Sequence, residues 1–134
     1  MSTEPVFEPD RLVAAFNAAQ IEYVIVGGLA VGAHGVVRAT RDLDLVAAPD
    51  QRNMDRLADC LHAQTKHGEV QVLNRMEGVP PFAELQRDQI RVEIASDAIA
   101  PVCSLAHLRA MKRAANRPRD RVDLAELAEL HGYT

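Results

Sequence analysis

Twenty residues, Val26 to Leu45, constrain this chain more than any others. Val26-Gly27-Gly28 closes an apolar run, and after thirteen intervening residues Asp42-Leu43-Asp44-Leu45 opens another. In an extended strand, residues two apart point to the same side. Asp42 and Asp44 then hold two carboxylates side by side, while Leu43 and Leu45 turn into a core. Like charges this close repel and raise each other's pKa. A divalent cation between them removes that penalty, and Mg²⁺ typically takes one or two carboxylates together with substrate phosphates. An isolated Asp-x-Asp is more often a hydrated strand edge. The glycine pair and a later acidic strand, Val92-Glu93-Ile94, favour chemistry here instead.

The rest of the chain supplies helices and strands in mixed order. The spacing of Leu12, Val13, Phe16 and Ala19 after Pro9-Asp10 predicts a helix to about residue 20. Residues 22–26 form a β-branched run, a buried strand. Residues 29–34 read as a short helix ended by Gly35, and 42–47 as the second strand. A helix follows Pro49-Asp50 with Met54, Leu57, Ala58 and Leu61 on one face. Residues 69–73 alternate weakly as a strand, and 74–89, with Pro80-Pro81, read as irregular. Residues 90–95 are a further strand. Ser104 caps a helix to about 115, and a last helix follows Pro118 to His131-Gly132. This order predicts a single domain over 1–134 of the α/β (α+β) class, a small mixed β-sheet with helices packed on it.

Composition excludes several classes. With 48% apolar and 25% charged residues the chain is an ordinary globular domain. It carries no membrane-length apolar run and no export-type N-terminus. Cys60 and Cys103 lack metal-ligand spacing and read as free thiols, which fits a reducing cytoplasm. The net charge of −4 argues against nonspecific coating of nucleic acid. Locally, Arg109 to Arg121 holds six basic residues and one acid, a net +5. Aromatic residues do not interleave with them, so a stacking platform for single strands is not expected.

Glycines between a strand and a helix let the backbone approach a ligand, although a tight turn needs them in any case. Glu93 alone is an alternating surface acid. Beside Asp42 and Asp44 it is a candidate third metal ligand, and three carboxylates on adjacent strands suit two Mg²⁺ ions. Lys112, at the edge of a helical apolar stripe, either leans towards phosphates or snorkels to solvent. Arg38, Thr40 and Arg41 either bond a phosphate or brace the loop before the aspartates. Asp120 and Asp123 are expected to pair with Arg117 or Lys112. His34 reads as a packed helix-end histidine.

Gly27-Gly28, Asp42-Leu43-Asp44 and Val92-Glu93-Ile94 together resemble the nucleotidyltransferase superfamily of the DNA polymerase beta type. The longer string of Val26 to Ala30, His34-Gly35, Arg38, Thr40 and Asp42-x-Asp44 is similar to small bacterial nucleotidyltransferases related to abortive-infection-type toxins. Leu108 to Ala115, Arg117, Asp120 and Asp123 resemble their C-terminal helices, so the match spans roughly half the chain. The resemblance implies transfer of a nucleoside monophosphate from an NTP to an acceptor, RNA such as tRNA or a protein, with release of pyrophosphate. Gly27 and Gly28 would cradle the triphosphate, with Arg38, Thr40 and Lys112 as supporting contacts. Asp42 and Asp44 would hold both Mg²⁺ ions and Glu93 one of them. Glu93 stands where these small families often have Asp, and the chain is too short for the extra helical domain that relatives use on substrates. A toxin–antitoxin or phage-defence role is implied by the resemblance alone. The rivals are an antibiotic-modifying nucleotidyltransferase and a catalytically silent binding partner or antitoxin. The sequence does not name the base, the acceptor or any self-association.

Overall fold

The computed structural model describes residues 6–133; the first five residues of the N-terminal reading lie outside them. Helix α1 spans Pro9–Ala18, and Leu12, Val13 and Phe16 form its buried face as their spacing requires. Strand β1, Tyr23–Val26, is buried along its whole length, which needs cover on both faces of the sheet. Helix α2 follows without a linker at Gly27–Ala33, and β2 is Asp42–Ala47. Asp50 caps α3, Gln51–Ala63, by accepting from the Asn53 backbone N–H.

Strand β3, Glu69–Val72, ends at a long loop, and helix α4 covers Phe82–Asp88 inside the stretch expected to be irregular. Strands β4, Ile90–Ala95, and β5, Ala98–Val102, form a hairpin about Ser96-Asp97. Ser104 caps α5, Leu105–Ala115, through the His107 N–H. Asn116, in the left-handed conformation, ends α5 and turns the chain into α6, Pro118–His131. None of the described helices is long and apolar enough to cross a membrane.

The five strands make one sheet in the order β3-β2-β1-β5-β4. β1 runs antiparallel to β2 and parallel to β5, β3 is parallel to β2, and β4 is antiparallel to β5. The mixed sheet expected from the sequence is therefore present. Its order differs from a row of acidic strands, because β5 and β1 stand between β4 and β2. Helix α2 packs on β1 and β2, α1 on β5, α4 on β1, and α5 lies against both α2 and α6. The core is built from Phe16, Ile25, Leu43, Leu45, Leu85, Leu108 and Leu127, all of them sealed from solvent.

Candidate functional site

The antiparallel pairing of β1 with β2 sets Val26 beside Asp44, so the end of β1 and the aspartate strand meet where the chain turns into α2. Leu43 and Leu45 are fully buried, while Asp42 and Asp44 are half-buried and line a cleft of about 610 Å³. The two-residue alternation thus delivers both carboxylates to one wall. Gly27 has φ +71°, and a Cβ there would collide with the Asp44 Oδ2 oxygen. A Cβ on Gly28 would press on Arg38 Nη1 and Thr40 Oγ1. The glycine pair therefore makes room for the Asp44 carboxylate on one side and the Arg38 guanidinium on the other.

Across the cleft, α5 and α6 contribute a buried charge network. Lys112 Nζ lies 2.9 Å from Asp120 Oδ1 and 3.0 Å from Asp123 Oδ2, and all three residues are buried. Arg117 Nε donates to Asp120 Oδ2 at 2.7 Å, and the Arg117 backbone N–H donates to the same oxygen at 3.0 Å. Arg38 Nε reaches Asp123 Oδ1 at 3.3 Å, tying the loop before β2 to α6. Thr40 braces the same loop by donating to the Asp42 carbonyl. The pairing expected for Asp120 and Asp123 is present. Lys112 does not snorkel: it sits inside, held by two carboxylates, while lining the cleft.

Electrostatics separates the carboxylates. Burial pushes Asp44 up, the neighbouring Asp42 adds to this, and Lys112, Arg117 and Arg38 pull back only in part, leaving its pKa at about 6. Burial also acts to raise Asp120, but hydrogen bonds from Arg117 and Lys112 outweigh it and hold the carboxyl well below the usual range. Two polar atoms on the cleft side of this arrangement, Asp44 Oδ1 and Arg38 Nη1, are shielded from solvent without a hydrogen-bond partner among the described residues.

Glu93 does not join the pair. It is exposed on the edge strand β4, opposite Ile99 of β5, and does not line the cleft. Three strand spacings separate β4 from β2, roughly 14 Å, and the registers through β5 and β1 shift Glu93 further along the sheet. The expected three-carboxylate centre is thus not assembled, and among the described residues no group of three His, Cys, Asp or Glu side chains converges to hold a metal ion. The strand that does adjoin β2 is β3, which pairs Glu69 with Asp42 and Gln71 with Asp44. Gln71 lines the cleft, so a neutral amide stands beside Asp44. The weak alternation of residues 69–73 was the signal that could have placed it there.

The basic stretch is also largely spoken for. Arg109 is buried and donates to the Gly132 carbonyl, Lys112 and Arg117 face Asp120, and Arg119 donates to the Ala39 carbonyl at 3.0 Å. Of the net +5 read from the sequence, Arg109 and Lys112 are thus buried inside the fold, while Arg113, Arg117, Arg119 and Arg121 stay exposed. His34 follows α2 as its C-cap and shares a hydrogen bond with the Cys103 carbonyl at 2.8 Å, the packed role expected of it.

No protein-family model matches this sequence, and no curated protein does. A crystal structure of an antigenic nucleotidyltransferase-like protein from Paracoccidioides brasiliensis is similar in fold, with a TM-score of 0.64 over 95% of this chain and 78% of that one, at 17% sequence identity. The mixed five-stranded sheet with its helices thus has a nucleotidyltransferase-like fold.

Proposed function

We propose that the cleft binds a nucleoside triphosphate with a divalent cation and that the protein is a nucleotidyltransferase. One observation carries this reading. A buried carboxylate oxygen, Asp44 Oδ1, and a buried guanidinium nitrogen, Arg38 Nη1, both lack hydrogen-bond partners among the described residues, and both residues line the same cleft. Leaving such groups unpaired is costly, so they call for a ligand that offers a cation to one and an anion to the other. A metal–polyphosphate does both.

The donor set fits one Mg²⁺, with Asp42 and Asp44 as its holders; a second ion would lack the third carboxylate that Glu93 was expected to give. When bound, the ion would neutralise charge on the phosphates during transfer. The chain's own residues do the remaining work. Gly27 and Gly28 keep the cleft wall open beside the aspartates, Arg38 offers Nη1 to a phosphate oxygen, and Thr40 fixes the loop that carries both. Asp120 and Asp123 hold Lys112, Arg117 and Arg38 in place, so that positive charge is set before a ligand arrives. Nucleotidyl transfer is mostly positioning and charge neutralisation, and this network supplies both.

Incubation with α-labelled NTPs, Mg²⁺ and either total tRNA or lysate protein tests the reading. Label transfer is expected, and its loss in Asp42→Asn and Asp44→Asn. Transfer that persists in both variants overturns it.

Gln71 favours a second reading, a nucleotide-binding module without transfer, because it leaves the aspartate pair one carboxylate short. Calorimetric NTP binding with no label transfer to any acceptor selects that reading. A role in a toxin–antitoxin or defence pair, or in modifying a drug, follows from the nature of the acceptor in the same assay.

A further inference from the structure

The outer edge of β4 is unpartnered, and its sequence is complementary to itself. β4 ends the sheet, and among the described residues no backbone hydrogen bond joins its free side to another segment. Exposed edges are usually protected by proline, by charged side chains on the edge, by inward-pointing charge or by a bulge that twists the edge away. Ile90-Arg-Val-Glu-Ile-Ala95 has no proline and no charge on its inner face. Its two edge charges, Arg91 and Glu93, are of opposite sign and so can attract across two copies, and its one irregularity is a register shift between Glu93 and Ala95 in the pairing with β5. Ile90 is 39% exposed, and Val92 and Ile94 are half-buried at the rim of the core. On the other face Arg91 and Glu93 are exposed and take no ion pair among the described residues.

We propose that β4 pairs antiparallel with β4 of a second copy about a two-fold axis at Val92, continuing the sheet across a homodimer. That register sets Arg91 against the partner's Glu93 and Glu93 against the partner's Arg91, on the solvent face. On the inner face it sets Ile90 against the partner's Ile94 and Val92 against its own counterpart. Opposite charges and apolar side chains directly across an antiparallel pair both stabilise it, and a two-fold interface must be self-complementary in this way. Shifting the axis by one residue sets Arg91 against Arg91 or Glu93 against Glu93. The other edge strand offers no such charge complementarity: a two-fold axis at Gln71 of β3 sets Val70 against Val72 and Gln71 against itself, and one at Val70 sets Glu69 against Gln71, so no opposite charges meet in either register. The edge charge read from sequence as a metal ligand thus becomes half of an intersubunit pair, and this assignment does not depend on what the cleft binds.

Sedimentation equilibrium over a wide concentration range tests the dimer. The wild-type chain is expected to self-associate, and Arg91→Glu or Glu93→Arg alone to raise the dimer dissociation constant about tenfold or more, since each turns two attractions into repulsions. An equimolar mixture of the two single variants, and the double variant carrying both changes, are each expected to recover the dimer. Both positions are exposed, and circular dichroism checks that the variants fold. A wild-type chain that stays monomeric, a dimer indifferent to the single reversals, or a mixture that does not recover overturns the proposal.

Discussion

Gln71 stands directly across from Asp44 in the parallel pairing of β3 with β2. Its side chain lines the same cleft, where a carboxylate would complete a three-acid cluster with Asp42 and Asp44. An amide oxygen still accepts, but it adds no charge to a metal site. Gln71→Glu is therefore expected to tighten Mn²⁺ or Mg²⁺ binding by about tenfold or more, as one added charged ligand does for hard cations. The same change should lower the melting temperature of the metal-free protein, because a third like charge joins two that already repel. Titration calorimetry and melts with and without Mn²⁺ check both; unchanged affinity would mean that Gln71 does not face the ion.

The raised pKa of Asp44 has a consequence for stability with a definite sign. Burial and then Asp42 lift it to about 6, above the unfolded value of about 3.9. Between these pH values the folded protein keeps a proton that the unfolded chain has released. Stability from this group is thus full below about pH 4 and is lost as pH rises through about 6. Because the carboxyl is partly exposed, the loss is discounted to about 1–2 kcal/mol. Asp44→Asn is expected to remove it, so the metal-free variant should gain on the wild type between pH 4 and pH 7. Urea unfolding at several pH values gives the difference; parallel curves would show that Asp44 is not strained.

The aspartate wall was legible because two local rules coincide there: strand alternation exposes Asp42 and Asp44, and a strand–helix turn demands Gly27. What sequence hid is the sheet order. β5 reads Ala-Ile-Ala-Pro-Val, and alanine with Pro101 gives little strand signal, yet this segment lies between β1 and β4 and carries Glu93 away from the aspartates. Helix α4 was masked by Pro80-Pro81, although Pro81 serves as its N-cap and Phe82 and Leu85 are its buried face. The pairing of Asp120 with Arg117 could be read from its three-residue spacing, but its pairing with Lys112 across the turn between α5 and α6, and its burial, could not. Whether a lysine at the edge of an apolar stripe points in or out depends on the helix packed over it, here α6.

That packing makes Asp120 the most deeply buried charged residue among those described. It is fully buried and accepts from Lys112, from the Arg117 guanidinium and from the Arg117 backbone N–H. Asp120→Ala strips the start of α6 of its N–H acceptor and leaves the buried Lys112 with Asp123 alone. Removing one partner of a buried pair typically costs about 3–5 kcal/mol. Its depressed pKa fixes the pH dependence: the stabilisation holds above the unfolded value of about 3.9 and is lost as pH falls further. Denaturant unfolding at neutral pH should show the full loss. A drop below about 1 kcal/mol would mean that Arg117 and Lys112 find water instead.

Two glycines of α2 should respond in opposite ways to the same methyl group. Gly32 has ordinary helical φ and no heavy atom within 4 Å of where its Cβ would stand. Gly32→Ala therefore only restricts the unfolded chain and is expected to stabilise by about 0.5–1 kcal/mol. Gly27 opens the same helix at φ +71°, where a side chain is strained, and its Cβ would strike the Asp44 carboxylate. Gly27→Ala must either rotate Asp44 off the cleft wall or shift the start of α2, so metal and nucleotide binding should fall even where the fold survives. Thermal melts separate the two on stability, and calorimetry with Mn²⁺ and ATP separates them on binding. Gly32→Ala should bind as the wild type does. Normal binding by Gly27→Ala would show that the Asp44 position next to this turn is not what the cleft uses, and the proposed role of the glycine would fail with it.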